Sequence, residues 1–539
     1  MRSTLIKAMA AGFCLAAGIQ AASLQDVRHI VVIYQENWSF DGLFGKFPGA
    51  NNLDSASSES TTQVDSAGVA YGKLPMTDTK HFGSFLPDNG PWDMTTRMDP
   101  DSLTADLVHR FYHNQYQING GKGNRYVAGS DAKGLAMSYV DASKLPLGVL
   151  GTSGVVCDRF FQSAFGGSFL NHQWLVAAAA PKWFANVPQS KVTRFDGSGN
   201  RLNDGFLTPD SFAVNTVQPF TYPYSAGTAD SLRLPPAEGI TIADRLDSAS
   251  VSWKWYSGGW DSALAGKGGS ASINFQYHHQ PFVYFKKFSD TASVYRKSHL
   301  QDETRFFADV AAGQLPSVSW IKPMGAQNEH PGYATLVKGM NHVKAIVDSL
   351  KARKDIWDST VVIITYDEFG GRFDHVAPPV VDRFGPGTRI PAVIVSPFAK
   401  VGYVDKTVYE TVSTLAFIER RFGLAPLTDR DAKADPLSNA FVFAVPTSVP
   451  GHPGKLRNRR LDLRSEAGQL KLDLETPRTG AVAVEAFASN GRSLAQASFD
   501  GSATGRRLVS LDVSGAKGHL VMVRVRDGLG ERSRIALVR

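Results

Sequence analysis

A run of β-branched residues, Val361-Val362-Ile363-Ile364, constrains this chain most, because it ends in Thr365-Tyr366-Asp367-Glu368-Phe369-Gly370-Gly371. Such a run predicts a strand buried on both faces, as in the parallel sheet of an α/β protein. Two adjacent carboxylates then stand where the strand ends, with a glycine pair to turn the chain. Ligands of open α/β sheets bind beyond the carboxyl ends of the strands, and carboxylates there are costly unless solvated, paired or bound to a cation. A second segment has the same construction: His29-Ile30-Val31-Val32-Ile33-Tyr34 runs into Gln35-Glu36-Asn37-Trp38-Ser39-Phe40-Asp41. Two such strands side by side would converge Glu36, Asn37, Asp367 and Glu368 on one point. That set is all oxygen and no sulfur, which suits a hard cation. Alone, either segment reads more readily as a solvated loop or a helix cap; together they point to a site.

The two ends of the chain set its context. Residues 1–22 have the form of a signal peptide, with Arg2 and Lys7 ahead of an apolar run from Ala8 to Ile19 and small residues at Ala21-Ala22. That run is too short to span a membrane, and no later segment has the length or purity of a membrane helix. The mature protein is therefore expected to be exported, to the periplasm or beyond. Cys14 would leave with the signal, so Cys157 has no partner for a disulfide within the chain and reads as core filler. The net charge of +7 would suggest an acidic partner until it is located. Residues 455–539 hold 16 Lys and Arg against 9 Asp and Glu, which is the whole excess. No nucleic acid is expected as a partner.

The 539 residues exceed one small domain. Residues 23–445 read as one α/β unit, with strand-like runs at 29–34, 361–365 and 390–396 and helical patterns at Gly339 to Leu350 and Thr411 to Phe422. Long Gly-, Pro- and Trp-containing stretches at 46–100, 181–235 and 256–272 have the character of active-site walls. A Pro/Gly linker at 446–454 leads to residues 455–539, whose short alternating strands predict a small all-β sandwich.

A third segment, Phe165-Gly166-Gly167-Ser168-Phe169-Leu170-Asn171-His172, places a serine after two glycines at the start of a possible helix. Free N–H groups at a helix start can hold an anion, which suits a nucleophile; an N-cap serine is the plainer alternative. No Gly-x-Ser-x-Gly elbow surrounds it, which argues against an α/β-hydrolase triad. Histidines stand in polar, Gly-rich settings at His109, at the pair His278-His279 and at His330. Beside a carboxylate cluster they suggest phosphate binding and proton transfer.

Taken in order, Gln-Glu-Asn-x-Ser-Phe-Asp, Gly-Gly-Ser-Phe-x-Asn-His, Glu-His-Pro and Thr-Tyr-Asp-Glu-Phe-Gly-Gly-x-x-Asp-His-Val resemble the bacterial phosphoesterase family of acid phosphatases and phospholipases C, in the alkaline phosphatase superfamily. The resemblance covers roughly 25–445. It implies an α/β fold, an alkaline-phosphatase-like three-layer α/β/α sandwich, followed by the small β-sandwich. It also implies that Glu36, Asn37, Ser168, Asp367 and Glu368 hold a divalent metal, and that Ser168 is the nucleophile. His109, His330 and His279 (preferred over His278) would contact the phosphoryl group. Trp38 stands where many members have Arg, and Lys406 where many have His. Oxygen ligands favour Ca²⁺, Mg²⁺ or Mn²⁺, with Fe or Zn as alternatives.

The expected activity is phosphomonoester hydrolysis of acid phosphatase type, through a phosphoserine. Residues 107–121 resemble the acid phosphatase branch. The alternative is a phospholipase C, with Trp253, Trp255, Tyr256 or Trp260 caging a quaternary ammonium and the basic tail contacting an anionic surface. A non-enzymatic binding protein on the same scaffold is the third reading. The expected partner is a phosphoester small molecule or a phospholipid head group.

Overall fold

A computed structural model describes residues 22–267, 275–443, 461–475, 481–488, 493–500, 506–517, 520–527 and 530–538. The signal segment (save its last residue) and the 446–454 linker lie outside the described residues. Contacts divide the chain into two compact units, Met1–Phe443 and Ala444–Arg539.

Eight strands form the central sheet of the first unit: β1 (His29–Gln35), β2 (Val155–Cys157), β3 (Trp253–Ser257), β4 (Leu300–Asp302), β5 (Val318–Lys322), β6 (Thr360–Tyr366), β7 (Ala392–Val395) and β8 (Tyr403–Asp405). Their order across the sheet is β8-β2-β7-β6-β1-β5-β3-β4. All neighbours are parallel except β7, which runs antiparallel to both β6 and β2. β1 and β6 lie side by side at the centre, in register from His29 opposite Thr360 to Gln35 opposite Tyr366. Every residue of β5 and β6 is buried, as a strand covered on both faces requires.

Helices supply that cover in two groups. α1 (Pro146–Thr152) and α4 (Thr304–Ala312) pack with α5 (Leu336–Lys351); α2 (Ser168–Ala177) packs with α3 (Ile242–Ser248) and α6 (Ser413–Phe422). α5 buries Leu336, Met340, Val343, Ile346, Val347 and Leu350, a stripe at helical spacing. The architecture is the expected three-layer α/β/α sandwich.

The second unit is all β, in antiparallel sheets of three and four strands. Leu470, Leu472 and Leu474 in one sheet and Val521, Val523 and Val525 in the other alternate inward into a single apolar cluster, the pattern of two sheets packed face to face.

The last motif residues, Asp374-His375, are part of the framework. Asp374 and Asp41 are both buried, and between them lies the fully buried Arg389. Its Nε donates to Asp374 Oδ1 (3.0 Å), its Nη2 to Asp41 Oδ1 (2.9 Å), and its Nη1 to the carbonyls of Asn51 and Asp158. His375 Nδ1 lies 2.6 Å from Asp41 Oδ2. Arg389→Met would leave two buried carboxylates without their cation. It should lower unfolding free energy by roughly 3–5 kcal/mol in chemical denaturation, and an unchanged midpoint would contradict this role.

Candidate active site

Because β1 and β6 end level with each other, the chain beyond each enters the same space. The Asp367 N–H donates to the Gln35 carbonyl (3.0 Å), and the Asn37 N–H donates to Asp367 Oδ1 (3.1 Å). Asn37 turns through the left-handed region at φ 65°. Gly370 follows at φ 62°, where an added Cβ would lie 2.0 Å from the Asn37 carbonyl oxygen. Only glycine permits that approach. Glu36, Asn37, Asp367 and Glu368 are all fully buried.

Ser168 opens α2, with Gly167 as its N-cap. Gly166, at φ 84°, lets the backbone of Arg110-Phe111 pass where a Cβ would lie 2.4 Å from the Phe111 nitrogen. That passage brings His109 to the site. The Ser168 hydroxyl donates to Asn37 Oδ1 (3.3 Å), and Asn37 Nδ2 lies 3.4 Å from His109 Nε2. The first-turn N–H groups of α2 have no partner within the helix, so an anion beside the hydroxyl meets ready donors.

Hydrogen bonds fix how each ring presents itself. His109 Nδ1 donates to the Leu107 carbonyl (2.5 Å) and His330 Nδ1 to the Pro331 carbonyl (2.6 Å), leaving both Nε2 lone pairs turned inward. The two rings meet edge to face with centroids 5.7 Å apart. His109 Nε2 lies 3.8 Å from Glu368 Oε1, and His330 Nε2 lies 3.8 Å from Glu36 Oε2. His279 Nδ1 accepts from the Gln276 N–H, so its Nε2 carries the proton, 2.5 Å from Glu36 Oε1. His278 stands edge-on to His279, centroids 4.8 Å apart. The structure thus brings together every site residue expected from the sequence. Of the two departures from the family pattern, Trp38 is buried beneath the Arg372 guanidinium, 3.9 Å from its ring centroid, and Lys406 is exposed.

Three residues belong to this site that sequence reasoning passed over. Lys322, fully buried, sets its Nζ 2.7 Å from Glu36 Oε1. The signal was available: Val318-Ser-Trp-Ile-Lys322 is another apolar strand that ends in a charge. His172, one turn after the nucleophile position, donates from Nδ1 to the Ser168 carbonyl (2.8 Å) and lies 3.9 Å from Asp367 Oδ2. Glu329, beside His330, is buried within hydrogen-bond reach of Gln35 and Tyr366.

The electrostatics are those of an acid-rich pocket. Burial would raise the Glu36 carboxyl, but Lys322 and His279 hold it well below the usual range. Burial pushes Asp367 up to about 7 against the pull of Lys322, with Glu36 adding to the rise. Burial, then the Asp367 charge, pushes Glu368 well above its ordinary value. Asp367 Oδ2 and Glu368 Oε1 are buried and receive no hydrogen bond. Glu36, His172 and Asp367 bring ligand atoms within 4.8 Å of one another, as do Glu36, His278 and His279. Undonated buried oxygens on carboxyls that resist ionisation are what a cation would satisfy, so the residues present fit a divalent metal.

Residues 27–425 match the model of the Phosphoesterase family. The chain belongs to that family. Like its other members, this phosphoesterase is a hydrolase acting on phosphoric ester bonds. It is 26% identical over 486 residues to "Phospholipase C A" of Mycobacterium tuberculosis, covering 82% of this chain and 81% of that one. It is likewise 26% identical over 501 residues to "Phospholipase C B" of the same organism (83% and 82%). With "Non-hemolytic phospholipase C" of Pseudomonas aeruginosa the identity is 22% over 493 residues, covering 83% of this chain and 62% of that one.

If the carboxylate pair holds the cation, Asp367→Asn in this phosphoesterase should weaken divalent-metal binding by about a hundredfold or more, because a neutral amide replaces a charged ligand. Elemental analysis of the purified variant checks it; wild-type metal content would contradict it.

Proposed function

We propose that this phosphoesterase is an exported, metal-dependent phosphomonoesterase of acid phosphatase type, acting through a phosphoserine at Ser168. One observation carries the choice of substrate. A cavity of about 350 Å³ adjoins His109 and Gly167, with a wall that includes Asp106, Arg110, Asp131, Asn215 and Thr216. Leu107 and Val108 complete it, and no Phe, Tyr or Trp is among its lining residues. The charged groups in that wall, Asp106, Arg110 and Asp131, suit a hydrophilic leaving group better than the acyl chains of a diacylglycerol. Trp253, Trp255, Tyr256 and Trp260, candidates for a quaternary-ammonium cage, are buried in the core; Trp255 donates from Nε1 to the His279 carbonyl (2.8 Å).

In this reading Glu36, Asn37, Ser168, Asp367 and Glu368 would hold the metal, which when bound neutralises phosphoryl charge and favours the serine alkoxide. The Ser168 oxygen attacks phosphorus in line, its bond to phosphorus forming as the ester P–O bond breaks. The inward Nε2 lone pairs of His109 and His330 offer places for the hydroxyl proton, which can then pass to the departing alkoxide. Donors from the α2 N-terminus and the protonated histidines meet the equatorial oxygens. Water then hydrolyses the phosphoserine by the same steps reversed.

The names of the curated relatives favour a second reading, phospholipase C. Export rests on the form of residues 1–22; no described helix is long and apolar enough to cross a membrane. Nothing in the structure adds support to an anionic-surface role for 455–539.

The two substrates separate the readings. p-Nitrophenyl phosphate should be turned over at least about tenfold faster than its phosphorylcholine ester or phosphatidylcholine vesicles; the reverse order would establish the phospholipase reading. Ser168→Ala should lower turnover by about a thousandfold or more while leaving the thermal midpoint near wild type. Retained turnover, or covalent phosphate trapped at another residue, would remove Ser168 from its role.

A further inference from the structure

Three separate segments deliver the site, and the residue just before a site group on each lies in one buried cluster. Gln35 precedes Glu36, Tyr366 precedes Asp367 and Glu329 precedes His330. Glu329 joins them: its Oε1 accepts from Gln35 Nε2 (2.8 Å) and its Oε2 from the Tyr366 hydroxyl (2.5 Å). Its own carbonyl accepts from Trp38 Nε1 (3.1 Å), immediately after Asn37. One residue therefore touches the chain on either side of the Glu36-Asn37 pair, the end of β6 and the histidine segment.

Its placement is costly. Glu329 is 1% exposed, sits in the left-handed region at φ 72°, and its carboxyl meets two neutral side chains, Gln35 and Tyr366. Its Cγ occupies space on α5 that is open only because residue 339 is glycine, where a Cβ would lie 2.1 Å away. An apolar side chain of similar volume would fill that space without burying a carboxyl. The directional bonds to Gln35 and Tyr366 are what an apolar residue cannot reproduce.

We propose that Glu329 is a positioning residue, holding Glu36, Asp367 and His330 at their mutual spacing by tying together the residues that precede them. The inference rests on the reading that Glu36 and Asp367 hold the metal and that His330 meets the phosphoryl group. It assigns Glu329 no contact with substrate. Partners that orient metal ligands from behind typically matter about 10–100-fold in affinity or activity.

The test compares Glu329→Leu and Glu329→Gln in the full chain, measuring Mn²⁺ binding to metal-stripped protein by calorimetry and kcat and KM on p-nitrophenyl phosphate. Glu329→Leu should bind Mn²⁺ at least about tenfold more weakly and lose about a hundredfold in kcat, with a smaller change in KM. Glu329→Gln, whose amide can still bond both neighbours, should return both quantities to within about threefold of wild type. A folded Glu329→Leu protein with wild-type Mn²⁺ affinity and kcat overturns the proposal, as does a Gln variant no better than Leu. If Glu329→Leu fails to fold, Tyr366→Phe removes one tie at little volume change and should itself weaken Mn²⁺ binding measurably; wild-type affinity there overturns the proposal too. A wild-type protein that binds no Mn²⁺ and hydrolyses no phosphoester would defeat the underlying reading, a result distinct from a working enzyme indifferent to Glu329.

Discussion

The parallel pairing of β1 with β6 is the interaction on which the rest depends. Their register puts Gln35 opposite Tyr366, so the next residue on each strand is a carboxylate, and Glu368 follows at once. Three acids meet in a dry pocket; burial first, and then their mutual repulsion, raises Asp367 and Glu368, while Glu36 is held low by its cations. The surroundings answer that problem: Lys322 arrives on the neighbouring β5 to meet Glu36, and His279 meets the same oxygen. A local sheet register thus sets the charge that the other elements are arranged to balance.

The second requirement is close approach. Glycines 166 and 370 stand where any side chain would strike backbone, at Phe111 and Asn37 respectively. The first lets the His109 segment pass over the start of α2; the second lets the loop after Glu368 fold back on Asn37. The glycine pairs in the two motifs are therefore packing devices that draw three segments into one site.

Much of this was legible from the chain alone, because β-branched runs that end in acids are both a strand signal and a site signal. The central strands, the helix at 336–351 and the β character of the tail follow from hydrophobic period. The serine's place at a helix start follows from the glycines before it. Lys322, His172 and Glu329 were passed over for a common reason. Lys322 and Glu329 meet partners far away in sequence, and the carboxylate that His172 faces, Asp367, is equally remote, although its own hydrogen bond to Ser168 is local; which segments end side by side is not written in local pattern. Asp374-His375 shows the reverse: it belongs to the longest motif, yet its partner Arg389 makes it framework. The aromatic residues 253–260 likewise looked available for ligand and turned out to be core, since exposure depends on what packs over a strand.

Charge arithmetic connects the buried cluster to catalysis. With Lys322 opposite Glu36, one carboxylate is compensated inside the protein, while burial raises Asp367 and Glu368 above their ordinary values. A divalent cation held there would favour the ionised forms of both carboxyls. A phosphoester would bring further negative charge to a site whose rim already carries the exposed Asp106, 3.7 Å from His109 Nδ1, and the inward nitrogens of His109 and His330 are the groups that face it. Both rings are held through Nδ1 by backbone carbonyls, so gaining a proton at Nε2 turns an acceptor into a donor without moving the ring. The same backbone bonds that fix the rings leave their Nε2 atoms free to face a phosphoryl group.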